Sequence, residues 1–213
     1  MGCIIEPAIN VYSKEEYLRR ILIAKNLSPR VQFDVIDGVF AQPGNFNDAD
    51  IVKNNLNSDQ IDLHFMVINI EKELDRWIKI KPHRINLHLE YPGDLGGYFK
   101  RLEENNIKKG LAVAPFTSME KITPYVKMID YLLLMSVVPG RNGQQFIHES
   151  IERIKVLRLK YSQLDIGVDG GVRKNNLFEL KTAGVSNIVM GSAIFDGNEN
   201  NNFKTYSSIV MAP

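Results

Sequence analysis

The chain has 213 residues, 44% hydrophobic and 24% charged, a composition typical of a folded chain long enough to bury a full core. A net charge of +1 offers no electrostatic case for nucleic acid or an anionic membrane, and a single cysteine excludes an internal disulfide. No apolar run reaches the length of a bilayer span. One domain covering 1–213, in a reducing cytoplasm, is therefore the expectation. The start Met1-Gly2-Cys3 lacks the Ser or Thr that myristoylation needs at the sixth position, where Glu6 stands. No basic, cleavable leader is expected before the first strand either.

Short apolar runs alternate with longer amphipathic segments along the whole chain. Residues 3–9 read as a strand, followed by a helix from about Ser13, with Ser13 and Glu16 spaced as a capping box. Leu18, Ile21, Leu22 and Lys25 keep helical spacing in that segment. A strand over 31–36 leads into a Gly/Pro/Asn-rich loop through Asn47. Next come a strand over 61–67 and a helix over 70–78 that carries Trp77, then a strand over 84–89 and a helix over 95–105. A strand over 110–114 precedes a short helix at 119–125. The strand over 131–137 is almost wholly apolar, as expected when both faces are buried. A helix over 148–161, a strand at Ile166, a helix over 175–183 and a strand over 187–190 follow. The Asn-rich 198–202 reads as a surface turn before a final helix at 203–210. Eight strand–helix units at spacings of about 25 residues point to parallel βαβ architecture, and in one chain of this length to a single (β/α)8 barrel. No Gly-x-Gly-x-x-Gly follows the first strand, which argues against dinucleotide binding.

Function in such a barrel collects at the C-terminal strand ends. These ends carry Asn10, Asp34 and Asp37, His64 and Met66, His88 and Glu90, Pro115, Met135, Asp169, and Gly191-Ser192. Asp34, His64 and Asp169 have the donor chemistry to share a divalent metal such as Zn, Mn, Fe or Co; alternatively the two aspartates act without metal as facing acid and base. His88 and Glu90, two residues apart on one strand face, are candidate partners behind that group. The loop Pro139-Gly140-Arg141-Asn142-Gly143-Gln144, with Gly170-Gly171 and Gly191-Ser192, supplies glycine turns after strands six, seven and eight. The last two of these loops are the usual phosphate cradle of the fold.

Seven stretches carry a resemblance: Phe33-Asp34-Val35-Ile36-Asp37-Gly38, Asp62-Leu63-His64-Phe65-Met66-Val67, Leu87-His88-Leu89-Glu90, Leu134-Met135-Ser136-Val137-Val138-Pro139-Gly140, Gly143-Gln144-Gln145-Phe146-Ile147, Val168-Asp169-Gly170-Gly171-Val172 and Gly191-Ser192-Ala193-Ile194-Phe195. In this order the chain resembles the ribulose-phosphate 3-epimerase family. The resemblance implies a (β/α)8 barrel that interconverts D-ribulose 5-phosphate and D-xylulose 5-phosphate through a cis-enediolate, with a divalent metal, often zinc, at the C2 carbonyl. It implies Asp34 as proton acceptor, Asp169 as proton donor, and Asp34, His64 and Asp169 as metal ligands. Gly140, Arg141, Asn142, Gly143, Gly170, Gly171, Gly191 and Ser192 match its phosphate contacts, while Met66 and Met135 match methionines near the reacting carbons. A homo-oligomer is implied as well.

The chain also departs from the family. Gln32 stands where a fourth metal ligand, histidine, is usual, and an amide oxygen suits zinc less well than an imidazole. Ala8, in Pro7-Ala8, replaces a substrate-contacting serine; Ile36 replaces a third methionine; Arg141-Asn142 replaces Phe-Gly. Two alternatives follow: a 3-epimerase for another ketose phosphate such as allulose 6-phosphate, or a catalytically weak sugar-phosphate-binding relative. An aldolase using a Schiff-base lysine fits poorly, because no lysine falls at a strand end.

Overall fold

The alternation of strands and helices closes on itself. A computed structural model describes residues 2–140 and 143–212. Its strands are β1 (Ile4–Ile9), β2 (Val31–Ile36), β3 (Ile61–Met66), β4 (Arg84–His88), β5 (Lys108–Val113), β6 (Tyr131–Met135), β7 (Asp165–Asp169) and β8 (Asn187–Met190). Each pairs in parallel with its sequence neighbour, and β8 returns to β1. Around this barrel lie α1 (Lys14–Ala24), α2 (Ala49–Asn55), α3 (Ile70–Trp77), α4 (Gly96–Glu104), α5 (Glu149–Lys160), α6 (Leu177–Ala183), α7 (Ser192–Phe195) and α8 (Glu199–Met211). The architecture is a (β/α)8 barrel.

The two-residue period of each strand divides its side chains between two layers. Val31, Phe33 and Val35 of β2, with Ile61, Leu63 and Phe65 of β3, pack outward in the large apolar layer beneath the helices. The intervening residues point into the barrel, whose interior has two halves. Ala8, Ala112, Leu133, Met135 and Val189 form an apolar side. Gln32, Asp34, Asp62, His64, Arg84, Asn86 and His88 form a polar side on β2 to β4, all buried. Strand pairing fixes their levels: Gln32 lies opposite Asp62 and Asp34 opposite His64. At Gly167 an added Cβ would collide with the Tyr131 hydroxyl, so β7 leaves space there for a tyrosine inside the barrel.

Several local expectations change. Ser13 caps α1 by accepting from Glu16 N, but the Glu16 carboxylate is held by Arg19 and Arg20 instead of completing a capping box. The buried face of α1 is Tyr17, Ile21 and Ala24, whereas Leu22 is exposed. Beyond the loop through Asn47 lies α2, started by Asp48 accepting from Ile51 N; with only Ala49 and Val52 buried, its apolar stripe is too short to register as a period. The expected helix at 119–125 is a 3-10 turn, Met119–Ile122. Pro124 has no N–H to give the Glu120 carbonyl, so α-helical bonding cannot propagate there. The expected surface turn at 198–202 is instead the start of α8, where the Asn198 side chain accepts from Asn201 N as an N-cap.

The N-terminal floor of the barrel is a buried ionic cluster. Arg84 pairs with Asp62 and lies 3.5 Å from Glu6, which also accepts from Asn187. The Arg84 guanidinium sits 3.4 Å over the Tyr131 ring. Stripping the cation from such a cluster costs about 3–5 kcal/mol, because the buried Asp62 carboxylate is left uncompensated. Burial, reinforced by the Asp62 charge and only partly offset by Arg84, holds the Glu6 carboxyl well above its ordinary value. The folded state therefore keeps this proton more tightly than the unfolded chain, and the stability present at low pH is lost as pH rises through the folded value. Glu6→Gln keeps an acceptor for Asn187 and removes that loss. Thermal unfolding followed upward in pH from the ordinary glutamate range (about 4.3) should give a flatter profile for the variant than for the wild type; superimposable profiles would contradict this assignment.

Candidate active site

Inward alternation puts Gln32 and Asp34 one above the other on β2, and barrel closure brings Asp169, the last residue of β7, across to them. The Gln32 amide nitrogen donates to Asp34 Oδ1 at 2.9 Å and to Asp169 Oδ2 at 2.8 Å. Like charges brought this close in a poorly solvated site repel strongly, and the shared donor offsets that repulsion. Burial raises the Asp34 carboxyl above its ordinary value, with the Asp169 charge adding to it and contacts from His64 and Gln32 opposing it.

Behind the aspartates, β3 and β4 supply a histidine relay. Glu90 Oε2 lies 2.8 Å from His88 Nδ1, and His88 Nε2 lies 2.9 Å from His64 Nε2. A carboxylate can only accept, so His88 donates from Nδ1 and its Nε2 is left to accept. His64 must then donate from Nε2, which turns its Nδ1 toward Asp34 Oδ1 at 3.3 Å and Asp169 Oδ2 at 3.5 Å. Glu90 is fixed in turn by Ala114 N and the Thr117 hydroxyl. Burial favours a protonated Glu90, but hydrogen bonds from His88 and Thr117 win and hold it at about 2. Burial keeps His88 neutral, down at about 4 despite Glu90. For His64 burial acts downward, and the two aspartates outweigh it to reach about 9.

One ligand atom each from Asp34, His64 and Asp169 lies within 4.8 Å of the others. His64 Nδ1 and Gln32 Oε1 are buried polar atoms that make no aligned hydrogen bond. Two carboxylates and the imidazole nitrogen that faces them fit a divalent metal such as zinc, manganese, iron or cobalt. Gln32 presents its nitrogen to the carboxylates, so ligation through Oε1 would require the amide to turn over.

Asp34, His64 and Asp169 line a cavity of about 60 Å³ together with residues of the glycine turns. Gly140, Gly143, Gly170, Gly171, Gly191 and Ser192 all line it, as do Met66 and Met135. Gly171 has φ +65°, and a Cβ there would come within 2.6 Å of Phe146 N; no other residue lets these two loops approach so closely. The Ser136 hydroxyl bonds the Asp169 and Gly170 carbonyls, fixing the strand end that carries the carboxylate. Asn45 ties the Asp34 carbonyl to Asn10, and Asn10 reaches the Gly140 carbonyl.

The structure thus gathers Asp34, His64, Asp169 and Gln32 at one point, with His88 and Glu90 behind His64. Arg141 and Asn142 lie outside the described residues. Asp37 serves the loops: its carboxylate accepts from Val39, Phe40 and Ile68 N, tying the turns after β2 and β3 together. Pro115 takes no part in the cavity lining. Two participants went unnoticed in the sequence. Ser136 is one buried serine in an apolar strand, and Arg173 follows the Asp169-Gly170-Gly171 turn with the look of an ordinary surface cation.

The architecture recurs at low identity in 3-keto-L-gulonate-6-phosphate decarboxylase from Vibrio cholerae O1 (TM-score 0.74, 9% identity, all of both chains covered). It recurs also in orotidine 5'-phosphate decarboxylase from Pyrococcus horikoshii (TM-score 0.71, 14% identity, 99% of this chain and 100% of that one). At these identities the likeness shows the fold alone. Sequence relatives include ribulose-phosphate 3-epimerase of Aquifex aeolicus, 34% identical over 65% of this chain and 64% of the relative. The enzyme of that name from Escherichia coli K12 is 32% identical over 64% of this chain and 62% of the relative. That from Buchnera aphidicola is 30% identical over 82% of this chain and 80% of the relative. The match thus spans somewhat less than two thirds of the Aquifex and Escherichia proteins. A family model, the ribulose-phosphate 3 epimerase family, matches residues 5–195, from β1 through α7 and including every residue of the carboxylate–histidine cluster. The chain belongs to the ribulose-phosphate 3-epimerase family.

Proposed function

We propose that the chain interconverts D-ribulose 5-phosphate and D-xylulose 5-phosphate, using Asp34 and Asp169 on opposite faces of C3. The observation that carries this reading is the pair of carboxylates held by one amide nitrogen, at 2.9 and 2.8 Å, in a cavity also lined by glycine turns. Epimerisation needs that arrangement: one group removes the C3 proton, and another returns a proton from the other side. Asp34, entering as the carboxylate, takes the C3 proton and leaves a planar enediolate; Asp169, entering as the carboxylic acid, protonates the opposite face, so the two aspartates exchange ionisation state in each turnover. Backbone N–H groups of the glycine turns receive the phosphate, fixing how far the sugar chain reaches toward the carboxylates. Met66 and Met135 line the cavity with apolar surface and limit access of water to the reacting carbons.

Asp34, His64 and Asp169 would hold a divalent metal, which when bound supplies a Lewis acid for the C2 carbonyl. The tautomer imposed by Glu90 and His88 suits that role, because it keeps His64 Nδ1 directed at the aspartates. Gln32 orients both carboxylates through its N–H groups. A second reading, an epimerase acting on a longer ketose phosphate such as allulose 6-phosphate, draws support from Ala8, which lines the cavity with a methyl group where the family has a serine. A turnover screen across ketose phosphates separates the two.

Asp34→Asn and Asp169→Asn should each lower kcat for D-ribulose 5-phosphate by about 10²–10⁴-fold while circular dichroism stays unchanged. Activity within a few fold of wild type in either variant would overturn the two-carboxylate reading. His88→Leu should weaken metal binding about 10–100-fold, measured by chelator competition on metal-stripped protein. An unchanged affinity would reduce the histidine relay to packing.

A further inference from the structure

We propose that Arg173 is a ligand of the substrate phosphate, adding a side-chain cation to the backbone N–H groups of the glycine turns. This rests on the sugar-phosphate reading above and extends it to a residue outside the resemblance.

Arg173 lines the same cavity as Asp34 and Asp169, and among the described lining residues it is the only lysine or arginine. Among the described residues it is thus the one permanently cationic side chain in a lining that also carries two carboxylates. Its position is built rather than incidental. The Arg173 backbone is extended (φ −135°, ψ 173°) and its N–H donates at 2.9 Å to Oδ1 of Asn176, a side chain that is itself buried. From there the guanidinium crosses from the loop after β7 to the loop after β8 and donates from Nη2 to the Ser192 hydroxyl at 3.1 Å. Both loops contribute glycines to the cavity lining. Among the described residues no carboxylate pairs with Arg173, although most other arginines of the chain have an acidic partner. A guanidinium has five donors in a planar fork that matches phosphate oxygens. One contact to Ser192 leaves the rest of the fork available, at the place where a phosphate monoester would be received. The side-chain bond to Ser192 also reduces the side-chain entropy lost on binding.

Inorganic phosphate is the probe, titrated calorimetrically into wild type, Arg173→Ala and Arg173→Lys, with circular dichroism to verify folding. The expected result is at least tenfold weaker phosphate binding in Arg173→Ala and partial recovery in Arg173→Lys, which keeps the charge and loses the fork. Binding by Arg173→Ala should also depend less on ionic strength. With D-ribulose 5-phosphate the loss should appear in KM, since the contact is far from C3. Phosphate binding unchanged in Arg173→Ala, or absent from the wild type, overturns the assignment. Phosphate binding requires no turnover, so the two claims fail separately. A wild type that binds phosphate through Arg173 without epimerising the pentulose phosphate contradicts the proposed function alone. An active enzyme indifferent to Arg173 contradicts this inference alone.

Discussion

The Gln32 amide nitrogen lies between two aspartates that would otherwise repel each other, and much of the barrel is arranged so that it can. Asp34 is on the second strand and Asp169 on the seventh, 135 positions apart in the chain. They meet only because eight parallel strands close and because both side chains fall on the inward phase of the pleat. A one-residue slip in either strand would turn a carboxylate into the apolar layer beneath the helices. The strongly apolar outward residues, Phe33 and Val35 on β2 and Ile166 and Val168 on β7, guard against that slip, because moving them inward would strand them among charges. Packing on one face of each strand thus fixes chemistry on the other.

Around this pair the protein places groups that remove conformational choice. Glu90, His88 and His64 form a line in which an obligate acceptor at one end determines which nitrogen faces the aspartates at the other. Ser136 holds the carbonyls at the end of β7, and Asn45 and Asn10 tie the end of β2 to the loop after β6. The polar half of the barrel continues below the site into the Glu6, Asp62 and Arg84 cluster, where Arg84 pairs with Asp62 and Glu6 accepts from Asn187. Held in this way neither carboxylate can swing to the other's side, which is what the proposed proton transfer on two faces of one carbon requires.

Much of this was legible in the sequence. The strand–helix alternation exposes the barrel, and Asp34, His64 and Asp169 stand out because acidic and imidazole groups at the ends of apolar strands have few structural uses. His88 and Glu90 are readable as a same-face pair, although only the fold reveals that they act through His64. What stayed hidden depends on long-range geometry. Gln32 reads as a weakened ligand, yet in the structure its nitrogen, not its oxygen, faces the carboxylates. Arg173 looks like a solvent-facing cation after a turn, and nothing local reveals that it reaches Ser192. At 198–202 the asparagines suggest a turn because they are poor helix formers, while Asn198 uses that same preference to cap a helix.

The measurement that bears most directly on the account is the fate of the C3 hydrogen when D-ribulose 5-phosphate is incubated with the protein in heavy water, as a test of the proposed epimerisation. Two carboxylates on opposite faces predict xylulose 5-phosphate carrying one solvent deuterium at C3, while the remaining ribulose 5-phosphate is still protiated early in the reaction. Product that retains the original C3 hydrogen would mean that a single group carries the proton across, and would contradict the roles given to Asp34 and Asp169.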